Sequence, residues 1–153
     1  MNPIEARFRA IKWNYADKDP LARAELTRRL AVAARSGGDL PTYSDLVRGV
    51  EFRLSNLRDS VHVIDTADWE DLDRAIVGDF LGYISMESYA EGGFFASALV
   101  VSKADGTPSE GFYNLLRELG LIKDSRSTKA MLLWSDHVKM AQEWYSAHPT
   151  SAA

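Results

Sequence analysis

The sequence predicts an α+β domain, predominantly helical, with about six helices around a small sheet. Three observations carry that expectation. Apolar residues recur at three- and four-residue intervals through most of the chain. Capping residues and glycine pairs punctuate those stretches. One apolar run without polar alternation, Phe94 to Ser102, breaks the rhythm and reads as a strand buried on both faces.

A first helix is expected from Pro3 to Tyr15, with Ile4, Phe8, Ile11 and Tyr15 along one side. Asp19-Pro20 opens a second, with Asp19 as N-cap and Pro20 where a missing N–H costs nothing. Leu26, Leu30 and Ala33 line its inner face, and Gly37-Gly38 stops it. Thr42 and Asp45 form a capping-box pattern for a third helix carrying Leu46, Val47, Val50, Leu54 and Leu57. Val61 to Ile64 is a short strand candidate. Thr66 or Asp68 caps a fourth helix from Trp69 to about Ala90, with Leu72, Ile76, Phe80 and Ile84 spaced by four and Gly92-Gly93 at its end.

After the central strand, Asp105-Gly106 is a turn and Pro108-Ser109 begins a fifth helix with Phe112, Leu115, Leu116 and Leu119, stopped by Gly120. A last helix runs from Ser127 to His148. One of its stripes holds Met131, Trp134, Val138, Ala141 and Tyr145, and an adjacent one Leu133, His137, Met140 and Trp144. Together they exceed the roughly 100° that one core contact needs. Either the helix is sandwiched, which is the commoner arrangement, or Trp134, Trp144 and Tyr145 form part of a partner or dimer surface.

The 153 residues suit one domain, 1–149, with a tail at 150–153. Hydrophobic and charged fractions of 46% and 26% are ordinary for a globular chain. The absence of cysteine excludes a disulfide framework, a thiolate nucleophile and a cysteine zinc site. The opening residues interleave charge with apolar side chains and lack the roughly 7–15-residue apolar core of a secretory signal. No run reaches the roughly 18 apolar residues of a membrane span, so a cytoplasmic location away from membranes is expected. Net charge is −4, unevenly placed: residues 1–58 hold 11 Lys and Arg against 7 Asp and Glu, the remainder 7 against 15.

Four places invite a functional reading, each beside a plainer one. His62, Asp65, Asp68, Glu70, Asp71 and Asp73 cluster near a helix start, where carboxylates could gather a hard cation but equally stabilise the helix dipole. The run lacks the calcium-loop glycine, and the dipole reading is preferred. Ser97 stands in the apolar run without a nucleophile elbow around it. With Asp105 and Ser109 it marks a candidate ligand cleft, since Gly106 to Phe112 puts small residues at a helix start that could receive an anion. Arg23, Arg28, Arg29 and Arg35, near Lys18, make the most basic helix and a candidate nucleic-acid face; a solvated face is the plainer account. No catalytic residue, metal-ligand set or cofactor is assigned.

The central block also carries a resemblance. Leu81-Gly82-Tyr83-Ile84-Ser85, Gly92, Ser97 to Lys103, Gly106-x-Pro108-x-x-Gly111-Phe112 and Leu119-Gly120 together resemble a set of uncharacterised bacterial proteins over residues 43–147. That likeness implies no activity. A fainter one is to the winged-helix domain of DNA alkyltransferases and alkyltransferase-like proteins. It rests on Thr42-Tyr43-Ser44-Asp45-Leu46, Arg74-Ala75-Ile76-Val77-Gly78, the segment Ala96 to Val101, and Ala104-Asp105-Gly106. This likeness implies a winged-helix-like centre. The family's reactive cysteine falls on Ser97, and its neighbouring histidine and arginine on Ala98 and Leu99, which excludes cysteine-dependent alkyl transfer. Arg74 is one residue out of register, and the acidic fourth helix start would repel phosphates.

The expected function is therefore a non-catalytic cytoplasmic interaction or binding module, acting on a protein partner, on itself, or on a ligand. One alternative is a winged-helix-like nucleic-acid binder, disfavoured by net acidity. Another is a metal-dependent hydrolase using Asp65 to Asp73 with His62.

Overall fold

The computed structural model describes residues 2–54 and 61–149. Six α-helices, two 3₁₀ turns and one two-stranded ladder make up the described residues, in keeping with the predominantly helical α+β expectation.

Helix α1 spans Pro3–Ala10, capped where Asn2 accepts the Glu5 N–H. It stops short of Tyr15 because a tertiary carboxylate competes for the backbone. Asp79 accepts the N–H groups of Asn14, Tyr15 and Ala16 at 2.8–3.0 Å, donors that a continuing helix would have used itself. Helix α2 (Pro20–Ser36) begins as its sequence demands: Asp19 accepts the Ala22 N–H and ends buried, also receiving the Arg53 N–H at 2.8 Å. Leu26 and Leu30 face the core with Ala34, while Ala33 is half-buried.

The capping box of Thr42 and Asp45 is present, but α3 is a single turn, Tyr43–Val47. Val50 and Leu54 are buried from extended chain beyond it, because Phe52–Arg53 leaves to form β1. Leu57 lies outside the described residues. Strand β2, Val61–His62, pairs antiparallel with β1, Phe52 opposite His62 and Arg53 opposite Val61. Helix α4 is Asp71–Gly92 and starts later than expected, with Glu70 rather than Thr66 or Asp68 at its N-cap. Asp73 draws the boundary: it accepts the Glu70 N–H at 2.9 Å and hydrogen-bonds His62 Nε2 at 2.7 Å. Gly93, in the left-handed region at φ 77°, ends the helix.

The largest correction concerns Phe94 to Ser102. It is not a strand. Ala96–Leu99 is a 3₁₀ turn, and the only ladder contact is an isolated parallel bridge between Val101 and Thr42 among the described residues. The segment is buried on both sides as expected, Phe94 to Val101 throughout. Its backbone is satisfied differently from a strand's. Side chains do the work of a neighbouring strand: Phe95 N–H donates to His137 Nδ1 (2.9 Å), Ala96 N–H to Ser88 Oγ (3.0 Å) and Ser97 N–H to Ser85 Oγ (3.1 Å). Ser88 Oγ also donates to the Phe94 carbonyl, and Trp134 Nε1 to that of Ala98. An apolar run states that a segment is buried, not who pairs with it.

Helices α5 (Glu110–Glu118) and α6 (Thr128–Ala147) complete the fold, the latter capped by Ser127 accepting the Ala130 N–H. Two apolar clusters result. The larger joins α2, α4 and Tyr145 of α6 around Phe52, Phe80 and Phe94; the smaller joins Phe8 of α1 to α5 and the start of α6. Phe94, Ala96 and Leu99 belong to the first, Phe95 and Ala98 to the second, so the 3₁₀ segment is the seam between them. No helix among the described residues is long and apolar enough to cross a membrane.

Candidate functional site

A cleft of about 580 Å³ opens between α4, α5, the stretch around Trp13 and the start of α3. Its walls are largely aromatic and aliphatic, with Trp13, Trp69, Tyr43 and Phe112 among them. Each wall has a separate anchor. Trp69 Nε1 donates to Ser44 Oγ (3.1 Å), and the Tyr43 hydroxyl accepts the Ser109 N–H (2.9 Å). Burial pushes the Tyr43 phenol above its usual pKa, so it stays a neutral hydroxyl there. Trp13 is set by the Asp79 carboxylate, which holds the next three residues, and by edge-on packing with Tyr83 at 5.5 Å.

Helix α4 presents Arg74, Val77, Gly78, Leu81 and Gly82 to the cleft, one stripe at helical spacing. Its two glycines differ. A Cβ on Gly82 would sit 2.8 Å from the Trp13 ring, so that position must stay bare for the wall to close. A Cβ on Gly78 would meet nothing within 4 Å. The space beside Gly78 is the cleft itself.

Ser97 lies on the cleft lining at 4% exposure, with its Oγ accepting from Ser85 Oγ at 2.7 Å. The two hydroxyls share one contact, and Ser85 Oγ is already occupied by the Ser97 N–H. One of the two hydroxyl protons is therefore left without an acceptor among the described residues. Lys103, exposed on the lining, makes no ion pair among the described residues.

Of the three residues expected to mark a ligand cleft, Ser97 and Ser109 line it and Asp105 does not. Asp105 instead closes its own turn, accepting the Thr107 N–H (3.0 Å) and hydroxyl (2.8 Å), which hold its carboxyl below the usual range. Sequence reasoning missed Trp13, Trp69 and Gly78. The available signal was a pair of glycines four apart within a long helix, with no turn to explain them.

The arginines of α2 are engaged within the chain. Arg29 donates to the carbonyls of Leu46 and Arg48 at the end of α3, and pairs with Glu25. Arg35 donates to those of Tyr145 (3.0 Å) and His148 (2.8 Å) at the end of α6. Arg23 reaches the Ala16 carbonyl and lies over the Tyr83 ring, and Arg28 pairs with Glu25, whose carboxyl is held low by that bond.

Within the acidic run, Asp73 caps the start of α4 through the Glu70 N–H, and others serve a turn or an ion pair. Asp65 accepts the Ala67 N–H, Asp71 pairs with Arg74 and Asp73 with His62; no cluster of metal-binding side chains exists among the described residues. On α6, Tyr145 is core at 3% exposure. Trp134 is half-buried and tied to Ala98, and Trp144 is half-buried between Phe94 and His148. Met131 and Leu132 remain exposed. In comparisons with protein-family models, curated proteins and solved structures, nothing matches the chain.

Proposed function

We propose that the chain is a non-catalytic binding module whose ligand enters the cleft beside Gly78. The observation that carries this reading is the open space at that glycine. In mid-helix, glycine costs about 1 kcal/mol relative to alanine, and no packing contact calls for it. The cleft also has the size and the mostly apolar lining with few polar groups that small-ligand sites share.

The absence of catalytic chemistry in this proposal rests on how the titratable groups are used. His62 is bound to Asp73, and His137 accepts a backbone N–H from inside the core. His148 caps its own helix end against Trp144. None of the three lines the cleft. The winged-helix-like nucleic-acid alternative would draw on Arg23, Arg28, Arg29 and Arg35, whose internal partners weigh against it.

The test uses a neutral apolar probe, N-phenyl-1-naphthylamine, whose fluorescence rises in dry sites. Binding is expected for the native chain and is expected to vanish in Gly78→Leu, while the melting temperature holds. Undiminished binding in that folded variant overturns the cleft as the site. No binding by the native chain does the same.

A further inference from the structure

We infer that the ligand of this cleft is a small organic acid with a flat apolar body, its acidic group at the Lys103 end and an acceptor atom at Ser97. This rests on the proposed binding role of the cleft and adds the chemistry of its occupant. Ser97 lies on the lining with its Oγ accepting from Ser85, so among the described residues one of the two hydroxyl protons has no protein acceptor. An acceptor atom on a molecule in the cleft would take that proton.

The charges around the mouth sort by partner. Arg74 is paired with Asp71 at 3.1 Å, and Glu110 with Arg117 at 3.1 Å. Glu118 is also on the lining; the Arg7 guanidinium reaches its main-chain carbonyl, and its carboxylate has no ion pair among the described residues. Lys103 is the cation on the lining that no carboxylate neutralises among the described residues. It follows Val101, whose N–H and carbonyl bond Pro41 and Tyr43, and so sits at the Tyr43 end. The lining includes the rings of Trp13, Tyr43, Trp69 and Phe112, which favour a flat body by stacking and edge contacts.

A matched pair of competitors tests the acid. 1-Naphthaleneacetate and its neutral amide share one apolar body, and each is titrated against bound N-phenyl-1-naphthylamine. The acid is expected to displace the probe at about fivefold lower concentration than the amide at low salt, the effect of one exposed charge. That ratio should fall below one in Lys103→Glu at low salt and to about one in high salt. Equal potency of acid and amide on the native chain overturns the inference while the neutral probe still reports the cleft. A preference for the acid that persists in Lys103→Glu overturns the role of Lys103. Ser97→Ala, with folding checked by its melting temperature, should weaken by several-fold a competitor that carries a second acceptor, 6-methoxy-2-naphthaleneacetate, and leave 1-naphthaleneacetate, which has none, unchanged; unchanged affinity for the methoxy acid overturns the contact at Ser97.

Discussion

Helix α2 and the cleft beside α4 form an instructive pair. The first carries the densest positive charge in the chain; the second is mostly apolar, with two cations and two carboxylates on its lining. In α2, the arginines end on carbonyls, carboxylates or a ring of the same chain, so their hydrogen-bonding capacity is taken up by the fold. In the cleft, a hydroxyl proton and an ammonium without partners among the described residues, and the space beside a glycine, are left over. Charge density marks where a sequence looks active. Unused capacity marks where a structure is able to receive something.

Four substitutions or conditions break or sharpen this contrast, taken from the largest effect downward. Ser88→Ala strips the buried Ala96 N–H and Phe94 carbonyl of their partner and should cost about 3 kcal/mol in urea unfolding. A loss under 1 kcal/mol would mean that the seam is not held by side chains. Asp79→Ala frees the three N–H groups behind Trp13. It should cost about 2 kcal/mol and also reduce probe binding, linking cleft to scaffold. Probe affinity unchanged in a destabilised variant would uncouple the two.

Arg35→Ala removes a cation from two carbonyls at the end of α6 and should lower stability by about 1–2 kcal/mol. If α2 were chiefly a polyanion surface, stability would hold while low-salt retardation of DNA disappeared. The smallest effect is one of pH. Burial holds the His137 imidazole below its ordinary value, while the unfolded chain takes up that proton at about pH 6.5. Stability from this group is thus complete above about pH 6.5 and falls as pH drops toward the folded value, by at most about 1.4 kcal/mol per unit. His137→Asn, which keeps an acceptor for Phe95, should be less stable at pH 7.5 yet lose less between pH 7.5 and 5.5. An unaltered acid slope would assign that loss to other groups.

Local signals were legible where a residue acts on its own neighbours. Asp19 and Thr42 cap the helices they were expected to cap, because the bonded N–H lies three residues on. Signals acting across the chain were not. The end of α1 is decided by Asp79, far along the chain, and the fate of Phe94 to Ser102 by Ser85, Ser88, Trp134 and His137. Two residues of the cleft lining were legible, Ser97 and Ser109, which fall in segments whose small residues stand out. Trp13 and Trp69 reach it from stretches that read as ordinary helix, and only the fold brings them together.

The seam segment has a consequence for how the molecule opens. The amide protons of Phe95, Ala96 and Ser97 are held by side chains of α4 and α6 rather than by a ladder that can fray from its edge. Releasing them to solvent deuterium requires those helices to part, which separates the two apolar clusters in the same event. These three amides should exchange together and last, so a single stretch of backbone keeps time for the cooperative unfolding of the whole.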